Sequence, residues 1–296
     1  MTVEAKEETM KIYYHNDLDG QCAAAIARMK YARECRGSER MEFLEMDYAL
    51  EPCVDAIQLD ETVLILDFSF TPETMDEVLK RTVRVIWIDH HKTAASYNYG
   101  VTLDGLRDFN GRLSACELSW AYFFARNEMP KAVKLIGDRD VWRWQFGPIT
   151  AEFNEGMKTY DTHPTADLWR TLLGAAGSFQ IENVREKGKT VLEYKKCLSE
   201  QQCQSCGFET ELAGHKVYAV NQRIFGQDVF GNRKKTYPIC ATYVHDGRRF
   251  TVSLYTERED IDVGAICKAL GGGGHRQAAG FVCEALPFAM RETQDD

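Results

Sequence analysis

Short apolar runs bounded by polar residues recur along the first half of the chain, and longer stretches with apolar residues three or four apart lie between them. "KIYYH" (Lys11–His15), "MEFLEM" (Met41–Met46), "TVLILDFSF" (Thr62–Phe70) and "TVRVIWI" (Thr82–Ile88) read as strands. "GQCAAAIARMKYARE", rich in alanine, reads as a helix, as does "TPETMDEVLK", where Thr71 suits the N-cap and Pro72 the first turn. "LSACELSWAYFFARNE" carries Ser114 and Glu117 at capping-box spacing. Strands and helices that alternate in this way, with strands apolar on both sides, predict a parallel sheet covered by helices on both faces.

The pattern changes after residue 182. "NVREKGKTVLEYKKCLSEQQCQS" (Asn183–Ser205) is polar and helical, and four shorter strand-like runs follow: "GFETELA", "HKVYAVN", "YPICATYVHDG" and "RRFTVSLYT". "IDVGAICKALG" then reads as a helix leading into "GGGGHRQAAGF". The fold class expected is α/β. A parallel-sheet domain over 1–182 is joined by a helical linker at 183–205 to a smaller α/β domain over 206–296, and a chain of 296 residues accommodates two cores.

Composition narrows the function classes. Hydrophobic residues make up 44% and charged residues 27%, ordinary for a globular protein. No apolar run approaches the roughly 18 residues that cross a bilayer, and "MTVEAKEETM" has no apolar signal core. The expectation is a cytoplasmic protein with no membrane partner. A net charge of −9 excludes a long basic surface for duplex nucleic acid but leaves room for a short phosphorylated substrate. The ten cysteines are scattered, with Cys22, Cys116, Cys240 and Cys267 in apolar settings, and read as reduced thiols. Cys197, Cys203 and Cys206 lie close together near His215, but no second pair completes a four-ligand zinc site.

Candidate chemistry sits where apolar segments end. The first strand leaves by "HNDLDG", with His15, Asp17 and Asp19. "LILDFS" leaves by Asp67, and "IWIDHH" by Asp89, His90 and His91. A fourth apolar segment, "KAVKLIGDRDVW", ends in Asp138 and Asp140, and is expected to take an equivalent place in the sheet. Open parallel sheets gather ligands at these ends. On an extended chain His15, Asp17 and Asp19 would project to one side. Converging acceptors with no lysine or arginine between them need a cation, and mixed oxygen and imidazole donors suit manganese, iron, cobalt or zinc. Each piece alone has a structural alternative: a turn at "HNDLDG", a helix cap at Asp67, ion pairs of Asp138 or Asp140 with Arg139 or Arg143.

"HNDLDG", "LILDFS", "IDHHKTA" and "IGDRDVW", followed by "GGGGHRQAAGF", resemble in type and order the motifs of the DHH phosphoesterase superfamily with its DHH-associated C-terminal domain. The resemblance spans roughly residues 11–285 and runs toward the NrnB-type oligoribonucleases (nanoRNases) and cyclic-nucleotide phosphodiesterases. It implies two divalent cations, manganese foremost, with magnesium or cobalt as alternatives. His15, Asp17 and Asp67 would hold one, and Asp19, Asp67, His90 and Asp140 the other, with Asp67 shared. Asp140 is preferred to Asp138, Asp89 would orient a histidine, and His91 would face the phosphate as an electrophilic contact or proton donor. Gly272, Gly273, Gly274, His275 and Arg276 would grip a substrate phosphate or terminal nucleotide across a cleft from the metals.

The activity so implied is two-metal activation of water to hydrolyse short RNA or DNA oligonucleotides to mononucleotides, in either polarity. Alternatives are a phosphodiesterase of cyclic mono- or dinucleotides or of linear dinucleotides such as pApA, a small-molecule phosphatase or pyrophosphatase, and a nucleotide-binding module without activity. "SLYT" (Ser253–Thr256) departs from the family's pattern by placing Tyr255 where an arginine is expected, with Arg258 or Arg223 as substitutes or Tyr255 itself stacking on a base. Trp142 and Trp144 invite the same stacking role, against packing.

Overall fold

The structure, a computed structural model, describes residues 9–32, 41–48, 50–125, 127–174 and 177–290. The contacts divide the chain into two units, Met1–Val191 and Leu192–Asp296.

In the first unit β1 (Met10–His15) is followed by α1 (Leu18–Tyr31), β2 (Met41–Met46), β3 (Thr62–Leu66), α2 (Pro72–Leu79) and β4 (Val85–Ile88). The four strands form a parallel sheet in the order β2-β1-β3-β4. Side-chain alternation splits the core in two. Ile12, Tyr14, Leu64, Leu66 and Ile88 face a layer holding α1. Tyr13, Val63, Ile65, Val85 and Trp87 face the other layer, which holds Met75 and Val78 of α2. Both faces are covered, which explains why the strands read as nearly continuous apolar runs. The α/β class expected from the pattern is borne out.

α3 (Ala115–Phe124), α4 (Lys131–Asp140), α5 (Pro148–Met157) and α6 (Asp167–Leu172) thicken the α1 layer. Thr71 caps α2 by accepting from the Thr74 amide, and Ser114 and Glu117 close the capping box on α3, both as expected. The "KAVKLIGDRD" segment corrects the expectation of a fourth equivalent strand: it is α4, not part of the sheet. Its buried residues Ala132, Val133, Leu135 and Ile136 make a helical stripe, a short apolar run that composition does not separate from a strand. The fourth strand is β2. The strand expected over Thr62–Phe70 stops at Leu66, because Asp67 turns to φ 57°. Arg33 and Glu34 of the anticipated first helix, and residues 1–8 of the anticipated leaderless start, lie outside the described residues.

α7 (Gly177–Cys206) is continuous through the division between the units. In the second unit β5 (Gly207–Leu212), β6 (His215–Asn221), α8 (Arg233–Thr236), β7 (Ile239–His245), β8 (Phe250–Tyr255), α9 (Val263–Ala269), β9 (Gly273–Gly274) and β10 (Ala278–Cys283) follow. The sheet is mixed, in the order β5-β6-β7-β8-β10-β9, with only β6 and β7 parallel. Among the described residues no helix is long and apolar enough to cross a membrane, and the described cysteines are all free.

Candidate active site

The sheet decides where the site lies. From β1 the chain crosses by α1 on one face to β2, while from β3 it crosses by α2 on the other face to β4. The carboxyl ends of neighbouring β1 and β3 therefore open a crevice between diverging connections, the switch point at which such sheets hold ligands. His15 ends β1 and Asp67 follows β3, its amide bonded to the Ile88 carbonyl 2.8 Å away.

Asp17 is the N-cap of α1: its Oδ1 accepts from the Gly20 amide at 3.0 Å while its Oδ2 lies 2.8 Å from His15 Nδ1. His15, Asp17 and Asp19 are thus not three alternate residues of an extended chain. The cap turns the backbone into a helix two residues after the strand, and Asp19 sits in the first turn. Gly20 makes this tight exit feasible, since a Cβ there would lie 2.3 Å from the His15 carbonyl oxygen. Asp19 is buried and receives the Ser114 hydroxyl at 2.8 Å and the amides of Ala115 and Cys116 at 2.7 and 3.1 Å, which fixes it to the start of α3.

His90 and His91 follow β4. His90 Nε2 lies 3.2 Å from Asp67 Oδ1, 3.3 Å from Asp140 Oδ2 and 3.8 Å from Asp19 Oδ2. Three overlapping groups could hold cations: His15, Asp17 and Asp67; Asp67, His90 and His91; Asp19, His90 and Asp140. The six residues expected as ligands are brought together, and His91 joins them. Asp89 sits behind, its Oδ1 2.7 Å from His91 Nδ1 and accepting both histidine amides, at 2.7 and 3.1 Å. Its Oδ2 accepts from the Ser69 hydroxyl, which in turn accepts from the Trp87 indole at 3.0 Å.

Asp138 and Asp140 are clearly separated by geometry. Asp138 is buried and occupied by the amides of Gln145 and Phe146, at 2.8 and 3.3 Å, and by the Thr150 hydroxyl. Asp140 Oδ2 is buried and receives no hydrogen bond, and the same is true of both oxygens of Asp67, which is 0% exposed. Burial pushes the Asp67 carboxyl well above the usual range, with the Asp19 charge adding to it. Burial likewise takes Asp140 up to about 9, reinforced by Asp19 and Asp67. His15 is raised to about 10 by its bond to Asp17 and then by Asp67. For Asp17 burial acts upward, but the His15 and Gly20 bonds override it and bring the group down to about 2. Burial opposes the charge on His91, yet Asp89 holds that proton to a higher pH than in free histidine.

Buried oxygens with no donor are the signature of a missing positive charge. A divalent cation fits this set: carboxylate and imidazole donors are within reach of one another, and the unbonded oxygens of Asp67 and Asp140 are directed among them. The sequence reading missed Ser69, which secures Asp89, and Ser114, which secures Asp19. It also missed Tyr48, whose exposed ring stacks on Phe68 at 4.8 Å and lies 5.8 Å from His91. Their motif neighbours gave no signal, because these contacts join segments distant in sequence.

In the second unit Gly273 and Gly274 pair with β10, and Gly272 packs so closely that a Cβ would lie 2.1 Å from the Gly280 carbonyl. Two of the loop's glycines thus have an internal packing reason: Gly272 by this contact and Gly274 by its φ of 141°. His275 is exposed, whereas Arg276 bonds the Glu259 carbonyl and lies 3.9 Å from Asp262. Tyr255 packs beside Phe230 at 6.2 Å, and Arg258 is paired with Asp260. Cys203 is buried, Cys197 and Cys206 are exposed, and none belongs to a metal-type cluster among the described residues.

No family model matches the chain. It is 27% identical over 241 residues to uncharacterized protein R106 of Acanthamoeba polyphaga mimivirus, covering 77% of this chain but 56% of that protein, little more than half its length. It is 23% identical over 306 aligned positions to oligoribonuclease NrnB of Bacillus subtilis, covering 91% of this chain and 71% of that protein. Among solved structures it is similar to the DHH domain of a member of a family of ribosomal proteins, with a TM-score of 0.59, 14% identity, and 94% and 83% of the two chains covered. It is also similar to the pGpG-specific phosphodiesterase PggH of Vibrio cholerae, with a TM-score of 0.50, 11% identity, and 94% of both chains covered. The DHH resemblance carried by the motifs is therefore present in the fold.

Proposed function

We propose that the chain is a metal-dependent phosphodiesterase of the DHH type that hydrolyses short oligonucleotides to mononucleotides. The observation that carries the reading is Asp67: a fully buried carboxylate with no donor, placed among His15, Asp17, His90 and His91. The likenesses to an oligoribonuclease and to a pGpG-specific phosphodiesterase support a nucleotide phosphodiester as substrate.

In this reading His15, Asp17, Asp19, Asp67, His90 and Asp140 hold two divalent cations, manganese foremost. When bound, the cations would polarise a phosphoryl oxygen and acidify water. The chain's own part is positional. Asp17 and Asp89 fix the rings of His15 and His91 through Nδ1. His91, kept protonated to higher pH by Asp89, can donate to the leaving oxygen. His15 is too basic to ligate in its protonated form, so cation binding must displace its proton. Gly272–Gly274, His275 and Arg276 of the second unit take a substrate phosphate, and the enzyme works in the cytoplasm.

The test is hydrolysis, with manganese, of labelled oligonucleotides from dinucleotides to long strands, beside cyclic dinucleotides. Preference for the shortest linear substrates, lost in Asp67→Ala, is expected. Equal cutting of long strands, activity on cyclic substrates alone, or near-normal turnover by Asp67→Ala would overturn the proposal.

A further inference from the structure

Five tryptophans are present in the chain. Trp87, Trp120 and Trp169 are buried, and each donates its indole N–H to a protein acceptor. Trp142 and Trp144 are 58% and 37% exposed, and among the described residues neither indole N–H finds an acceptor. Their rings meet edge to face, with centroids 5.6 Å apart, but the core does not cover them. Both have positive φ, 54° and 55°, a region bulky residues enter at a cost of about 1–3 kcal/mol and chiefly at functional sites. The Arg139 guanidinium lies 4.3 Å over the Trp142 ring and 5.2 Å from that of Trp144. Arg139 makes no ion pair among the described residues, so its charge is not cancelled by a carboxylate.

These groups border the crevice. A cavity of about 540 Å³ is walled by Asp17, Asp19 and Asp140 on one side and by Arg139, Trp142 and Lys158 on another. This volume is in the range of small-molecule sites, about 300–1,000 Å³. A flat aromatic surface and the unpaired Arg139 guanidinium thus share one space with the candidate metal ligands, while Lys158 is held by Glu155 at 2.7 Å. That combination suits a nucleoside joined to a phosphate better than a bare phosphate or pyrophosphate, which has no use for the ring.

We propose that this cavity is a nucleoside subsite in which a base stacks on Trp142 while Arg139 offsets phosphate charge. The inference rests on the phosphodiesterase reading and deepens it: the enzyme selects its substrate by the base beside the scissile phosphate. Trp142 is then a specificity-determining residue.

The test uses the full-length protein in two arms. Without metal, AMP should quench tryptophan emission, ribose 5-phosphate should not, and Trp142→Ala should lose the AMP response. With manganese, Trp142→Ala should raise KM for pApA about 10- to 100-fold. It should narrow the KM ratio between pApA and its abasic counterpart by the same factor. Trp142→Phe, which keeps a ring, should stay within about threefold of wild type for pApA, excluding a folding defect. AMP quenching that persists in Trp142→Ala, or an unchanged KM ratio, would overturn the subsite. A wild-type protein inactive on every phosphodiester would instead refute the enzymatic reading, while the metal-free AMP titration would still decide the subsite.

Discussion

Replacing Asp67 with asparagine should stabilise the metal-free protein. Both Asp67 oxygens are buried and without a donor, and a buried polar group left unsatisfied costs about 1–3 kcal/mol, more when charged. Asparagine keeps the shape, tolerates the φ of 57° and removes the charge. In a unit of this size, Met1–Val191, each kcal/mol shifts Tm by about 2–4 °C, so a rise of about 2–12 °C is expected. The gain depends on pH with a definite sign. The folded carboxyl is raised above its unfolded value by burial and Asp19. Its penalty is therefore present above the unfolded pKa of about 3.9 and disappears below it. The difference between variant and wild type should close as pH falls toward 4. Manganese acts oppositely: at a hundredfold excess over Kd it should stabilise the wild type by about 2.7 kcal/mol, and the variant much less. Thermal denaturation of both proteins, with and without manganese, at neutral and acid pH, measures all of this. A metal-free variant less stable than wild type at neutral pH, or one with the full manganese shift, would refute the reasoning.

Asp138→Ala should destabilise by about 2–4 kcal/mol, since it strands the Gln145 and Phe146 amides and the Thr150 hydroxyl, yet keep the manganese-induced rise in Tm. Loss of that rise would make Asp138 a ligand. His91→Gln should lower kcat about 100-fold or more with KM changed only a few-fold, as steady-state kinetics on pApA would show. A large KM effect with unaltered kcat would reduce His91 to a phosphate contact. Gly188→Ala should destabilise by at least about 1–3 kcal/mol in chemical denaturation, because its Cβ would lie 1.7 Å from the Glu152 carbonyl oxygen where α7 crosses α5. A neutral outcome would mean the two helices can separate there.

The sequence by itself determined the α/β class, the starts of α2 and α3 and the identities of the clustered residues. These are local properties: alternation and apolar periodicity, capping at Thr71 and Ser114, and acids and histidines placed just after apolar strands. It did not determine that Lys131–Asp140 is a helix, because Ala132, Val133, Leu135 and Ile136 suit either a buried strand or a helical stripe. Nor did local pattern separate Asp138 from Asp140, two acids two residues apart on one helix; the preference for Asp140 came from the family resemblance alone. Tertiary packing gave one of them the donors of the following turn and left an oxygen of the other bare beside His90. The same holds for Trp142, whose exposure and contact with Arg139 follow from how the chain leaves α4. Which side chains share a crevice depends on where the sheet changes direction, and that is a property of the assembled strands rather than of any one segment.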